Sequence, residues 1–265
     1  MSEEAAIPSG AKAPLPANSD GGAEAPLLQI TTARLSMGVG AVSTGEQLRF
    51  QMDHALARDA VHAELDVALL VGGLGERGLE SLVLRSAVTG GRREYLRRPD
   101  LGRRLSADSA RLLQELAASA PDVVFILADG LSAVAVERHA LPLLDSLLPL
   151  LGEWKAGVVC VATQARVMLG DEIGQMLGAK LVVLMIGERP GLSSPDSLGV
   201  YLTWEPRAGR TEAERNCISN IRHEGLSYAA AASRIAFYMH EARRLQATGF
   251  ALKEGVSDVP ALPNS

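Results

Sequence analysis

The stretch from Lys180 to Leu192, KLVVLMIGERPGL, runs seven apolar or glycine residues, Leu181 to Gly187, into Glu188-Arg189-Pro190-Gly191. The run is too short for a membrane span and too rich in Val and Ile for a good helix, so it predicts a strand buried on both faces. A carboxylate and a guanidinium at its exit suit ligand binding. They suit equally well a mutual ion pair or capping of nearby backbone, and the residues alone leave both readings open. Gly73-Leu74-Gly75-Glu76-Arg77-Gly78 fits the dinucleotide pattern G-x-G-x-x-G. That motif needs a strand before it and a helix after it. Here the order is reversed, and a glycine-capped linker is the better reading. The segment RREYLRRPDLGRR, Arg92 to Arg104, concentrates six arginines in an otherwise acidic chain. A solvated face is the ordinary reading, and a docking surface for an acidic partner or phosphate is the functional one. The five histidines form no H-x-x-x-H pair or His-Cys cluster, so no metal site is expected. Neither a G-x-S-x-G elbow nor a P-loop is present.

The elements that must position these residues can be read from periodicity. Leu48, Met52, Leu56, Val61, Leu65 and Leu69 predict one helix over residues 45–70, ended by Gly72 and Gly73. LESLVLRSAV and REYL predict two strands hairpinned around Thr89-Gly90-Gly91. Helices over 106–119, 132–151 and 170–177 then alternate with strands over 123–128, 158–163 and 181–186. This alternation predicts an α/β fold whose open parallel sheet has helices on both faces. A further strand over 198–204 and a last helix over 227–246 complete it. In such a sheet ligands gather outside the carboxyl ends of the strands. Asp129-Gly130-Leu131-Ser132, Thr163 to Val167 and Gly187 to Gly191 are therefore expected to be neighbours.

Bulk properties bound the class. A net charge of −5 and a pI near 5.6 argue against a general nucleic-acid or anionic-membrane surface, leaving room for a local basic patch. Two cysteines, Cys160 and Cys217, make neither a disulfide framework nor a zinc site, and a reducing cytoplasm is the simplest location. The Ala-, Pro-, Gly- and Ser-rich residues 1–26 predict a disordered tail. Residues 27–100 are expected to form a helical and hairpin extension, 101–250 the α/β domain, and 251–265 a flexible tail.

RPDLGRRL, ADGLS, DEIGQMLGAKLVVLMIGERPGL and ERNCISNI, in this order and spacing, resemble the small subunit of ethanolamine ammonia-lyase. The likeness extends from about Arg58 to the last long helix, and no single short pattern carries it. The resemblance implies a Rossmann-like domain that covers part of an adenosylcobalamin cofactor held against a large subunit, whose β/α barrel binds most of the substrate. It implies radical conversion of ethanolamine to acetaldehyde and ammonia, with no catalytic residue and no metal ligand on this chain. Val167, Glu188 and Cys217 match the family's cobalamin contacts. Ordinary readings stand beside these: Val167 as core, Cys217 as a small buried apolar side chain, and Glu188 as the partner of Arg189. D-x-H-x-x-G, which replaces the cofactor's own base by histidine, is absent. The resemblance therefore implies that the dimethylbenzimidazole stays on cobalt. Enclosure in a bacterial microcompartment is left open by the residues.

Overall fold

The computed structural model describes residues 43–116 and 120–254; the expected tail over 1–26 and most of that over 251–265 lie outside them. In chain order the elements are α1 (Thr44–His62), α2 (Val67–Glu76), β1 (Ser81–Arg85), α3 (Gly91–Arg97), α4 (Ala107–Leu116), β2 (Val123–Ala128) and α5 (Ala133–Leu147). There follow β3 (Val159–Thr163), α6 (Val167–Leu177), β4 (Leu181–Gly187), β5 (Leu198–Trp204), β6 (Asn216–Ile221), α7 (Tyr228–Leu245) and α8 (Phe250–Glu254).

The six strands form one sheet in the order β1-β3-β2-β4-β5-β6. β1, β3, β2 and β4 are parallel, while β5 and β6 run antiparallel. The expectation of a wholly parallel sheet is therefore corrected to a mixed one. A parallel pair needs a crossover long enough to carry the chain back across the sheet. The links over 188–197 and 205–215 hold at most a short 3-10 turn, Glu212–Glu214, so each following strand returns beside its predecessor.

β2, β3 and β4 are apolar almost throughout because both faces are covered. Phe125, Leu127, Val161, Val183 and Met185 point into one core with residues of α2, α5 and α7. Ile126, Ala128, Cys160, Ala162, Leu184 and Ile186 point into the other, with Leu113 of α4 and Leu169 and Ile173 of α6. The two sets alternate along each strand, as the period of two requires.

Two further expectations are corrected. The single helix over 45–70 is two helices: the first ends at His62, and Asp66 caps the second, its carboxylate accepting from Leu69 N at 3.0 Å. Gly72, Gly73 and Gly75 lie within α2, which ends at Glu76 with Arg77 as its C-cap and Gly78 at positive φ, so the G-x-G-x-x-G stretch is a helix and its exit. The hairpin is absent. β1 pairs in parallel with β3 as an edge of the sheet, and REYL lies in α3. Thr89 N and Gly90 N donate to the Glu94 carboxylate at 2.9 and 2.6 Å, which closes the start of α3. Arg92 and Tyr95 both turn inward from this helix. Their spacing of three is the helical period, which so short a window conceals.

Candidate functional site

β2 leads through α5 to β3 on one side, and β3 leads through α6 to β4 on the other. Since α5 and α6 cover opposite faces, the connections diverge between the carboxyl ends of β2 and β4. Such a switch point opens a crevice outside the strand ends. The backbone here is unusually close. Gly130 has φ +55, and a Cβ on it would lie 2.3 Å from Gly187 O; a Cβ on Gly187 would lie 2.0 Å from Ser132 O. Only glycine lets the two exits cross at this distance.

Asp129, 3% exposed, organises the floor. Its carboxylate accepts from Gln164 N at 2.8 Å and Ala165 N at 2.9 Å, which fixes the exit of β3 to that of β2. Arg92 of α3, 6% exposed, donates to the same carboxylate at 3.2 Å, to Gly130 O at 2.9 Å and to Val61 O at 2.7 Å. Burial raises the Asp129 carboxyl above the ordinary carboxylate range, opposed by these N–H donors and the guanidinium. Thus the first arginine of the basic run is not on a solvated face. Its remaining exposed members include Arg93, Arg97, Arg103 and Arg104.

The crevice has a volume of about 400 Å³, and Tyr95, Arg166, Val167, Ile186, Glu188 and Tyr201 are among its lining residues. Val167 is half-buried at the first position of α6, packed on the second core. Glu188 follows β4. Its carboxylate accepts from Ser197 Oγ at 2.5 Å and from Asn220 N at 3.2 Å. It lies over Gly199, where a Cβ would come within 2.9 Å of Oε1. Glu188 makes no ion pair with Arg189 among the described residues, so strand-end contacts hold it instead.

Cys217 stands apart from the crevice lining. It is exposed on β6, directly opposite Tyr201 of β5, with Sγ 3.3 Å from Ser219 Oγ. Cross-strand partners share a face, so Cys217 continues the surface that Tyr201 begins. α7 covers the opposite face of β5 and β6, while α6 packs on β4. The crevice thus has apolar wall at Val167, Ile186 and Tyr201 beside the charged Arg166, Glu188 and Arg189, and Tyr201 pairs across the strands with Cys217.

Burial pushes the phenols of Tyr95 and Tyr201 well above their ordinary value, so both remain neutral hydrogen-bonding groups; Tyr95 Oη donates to Ala165 O at 2.8 Å. Tyr95, Arg166, Ser197 and Tyr201 were not singled out by the sequence. For Tyr201 a signal exists: Gly199, Tyr201 and Thr203 alternate with Leu198, Val200 and Leu202, marking one face of β5 as different. No cluster of potential metal ligands occurs among the described residues, and no helix among them is long and apolar enough to cross a membrane.

An α/β layer with a crevice at its switch point and a partly uncovered strand pair beside it has the form of an α/β ligand-binding domain. The sequence model of the ethanolamine ammonia-lyase light chain (EutC) matches residues 23–253. The chain belongs to this family, and is thereby the small subunit of a lyase. It is 53% identical over 235 residues to the ethanolamine ammonia-lyase small subunit of Pseudomonas fluorescens (strain Pf0-1), covering 86% of this chain and 85% of that one. The same-named protein of Azotobacter vinelandii is 51% identical over 86% of this chain and 87% of its own. That of Ralstonia nicotianae is 50% identical, with 89% of each chain covered.

Proposed function

We propose that this chain holds base-on adenosylcobalamin against the large subunit of ethanolamine ammonia-lyase, which itself binds most of the substrate. The observation that carries the reading is the shared crevice: Val167 and Glu188, separate in sequence, line one space at the sheet's switch point. A corrin ring offers a broad apolar face ringed by neutral amides. Val167, Ile186 and the Tyr201 ring supply wall, and Glu188 supplies an anionic acceptor with lone pairs beyond those that Ser197 and Asn220 engage. Cys217 and Ser219 extend the contact along β6. The donors and acceptors present therefore fit the cofactor.

When bound, the cofactor supplies the organic radical that starts removal of ammonia from ethanolamine, giving acetaldehyde. This chain's part is to orient, to accept amide hydrogen bonds, and to close one side of the space to water. Co-expression with the large subunit, followed by addition of adenosylcobalamin and ethanolamine, is expected to release acetaldehyde, whereas this chain alone releases none. Turnover by the rigorously purified single chain overturns the division of labour. A chain that binds a nicotinamide nucleotide and no corrinoid belongs to an oxidoreductase instead, and one that binds neither is a noncatalytic scaffold.

The exposed arginines beyond Arg92 give the large subunit an electrostatic foothold. Arg103 closes a 3-10 turn and Arg104 caps it, and both point to solvent. Replacing both by Ala is expected to weaken subunit association several-fold at low salt and much less at high salt, with the thermal melt of the free subunit unchanged. Association that is equal at both salt concentrations returns these two residues to a solvated face.

A further inference from the structure

The crevice also holds cations that neither the fold nor the contacts described above use. Arg166 is the N-cap residue of α6, its N–H donating to Gly102 O at 2.8 Å. Its guanidinium lies on the Tyr95 ring, with Cζ 4.3 Å from the ring centroid. The side chain makes one long hydrogen bond, Nη2 to Tyr95 O at 3.5 Å, and the buried Nε has no partner. Stacking thus fixes the plane of the guanidinium while its donors stay almost unspent. Arg189, on the same lining at the exit of β4, is exposed and has no hydrogen bond or ion pair among the described residues. The positive end of α6 begins at Val167, also on this lining.

The neighbouring carboxylates offset this cluster only in part. Asp129 is spent on Arg92 and on the N–H groups of Gln164 and Ala165. Glu188 is hydrogen-bonded by the neutral Ser197 hydroxyl and Asn220 N–H, so its charge offsets one of the two guanidinium groups and leaves the lining net positive. Two guanidinium groups with free donors in a partly enclosed space call for an oxyanion, which their fork geometry can bind through paired hydrogen bonds.

We propose that this part of the crevice binds a phosphodiester, the bridging phosphate of the cobalamin nucleotide tail, with Arg166 and Arg189 as its ligands. The inference rests on the cofactor reading above. Within that cofactor the substituents of the corrin ring are neutral amides, and the phosphodiester is the anionic one. Glu188 and the arginine pair accordingly read different parts of the molecule: a carboxylate for amide N–H groups, guanidinium groups for phosphate oxygens.

The test compares two corrinoids on the assembled complex. Adenosylcobalamin carries the phosphodiester and nucleotide, and adenosylcobinamide lacks both. Affinities are measured by spectroscopic titration for wild type, Arg166→Met, Arg166→Lys and Arg189→Met. Arg166→Met is expected to weaken adenosylcobalamin on the order of tenfold and to leave adenosylcobinamide unchanged. Arg166→Lys keeps the charge without the fork and loses less; Arg189→Met, at an exposed position, also loses less. Equal losses for both corrinoids, or none for either in all variants, overturn the assignment. Unchanged corrinoid binding with weaker subunit association overturns it in favour of a carboxylate on the large subunit. Failure of the wild-type complex to bind either corrinoid removes the cofactor reading and this inference with it. Should Arg166→Met not assemble, the selective loss in Arg166→Lys and Arg189→Met decides the same question.

Discussion

Glu188→Ala in the assembled complex is expected to lower adenosylcobalamin affinity about tenfold or more, with Glu188→Gln falling between it and the wild type. The carboxylate lies in a crevice rather than on open surface. A charge-assisted hydrogen bond to a corrin amide is worth about 1.5 to 3 kcal/mol there, which is roughly one to two decades of affinity. The Gln side chain keeps the shape and one acceptor oxygen but no charge. Affinity for ethanolamine should move little if, as proposed, that site belongs to the large subunit. Ser197→Ala is the control for a merely structural Glu188. The Ser197 hydroxyl and Asn220 N both donate to Glu188 Oε2, so if Glu188 only ties the strand ends together, Ser197→Ala copies the loss and both variants melt earlier. Normal cofactor affinity in Glu188→Ala rules the ligand role out.

The largest effect on stability is expected at Asp129. Replacing it by Ala leaves the buried Arg92 guanidinium without its counter-charge and the N–H groups of Gln164 and Ala165 without their acceptor. Removing one partner of a buried pair costs about 3 to 5 kcal/mol. Arg92→Met should cost less, because Asp129 retains two backbone donors. Asp129→Asn should fall between Ala and wild type, since its amide oxygen can still accept. Urea unfolding of the free subunit measures all three. A loss below about 1 kcal/mol for Asp129→Ala would mean that the strand exits are held by packing and not by this network. Cofactor affinity should fall along with stability, because Asp129 holds the turn that brings Val167 to the crevice.

The difference between Arg92 and its neighbours shows where sequence reading stopped. In RREYLRR every arginine has the same chemistry, and composition alone assigns them all to a face in water. Whether one of them is buried depends on what approaches from elsewhere in the chain. Here Asp129 does, from another element of the fold, and the ion pair is formed only when the sheet is assembled. The same holds for Glu188. Its neighbour Arg189 was the obvious partner by proximity in sequence, whereas the real partners are Ser197 and Asn220, brought alongside by the antiparallel return of β5 and β6. Hydrogen bonds between distant segments leave no local trace.

Strands β2, β4 and β5 were legible to within a residue because burial on both faces forces an unbroken apolar run, and such a run has few other uses. The last helix was legible for a related reason: Ser227 caps it, accepting from Ala230 N, and its alanines and Ile235 repeat at the helical period. β6 was missed as a strand because it packs on one face only, and NCISNI reads as mixed polar sequence until β5 lies beside it. The amino acids thus determined by themselves the α/β alternation, the exits at which polar residues and glycines collect, and, through the order of several motifs, the family. Tertiary structure alone decided the mixed direction of the sheet, the helix in place of a hairpin at Gly91–Arg97, and which charges are spent and which are free. Periodicity is a property of one segment and its average surroundings, whereas pairing, burial of a single charge and the shape of a crevice are set by segments far apart in the chain that meet only in the folded state.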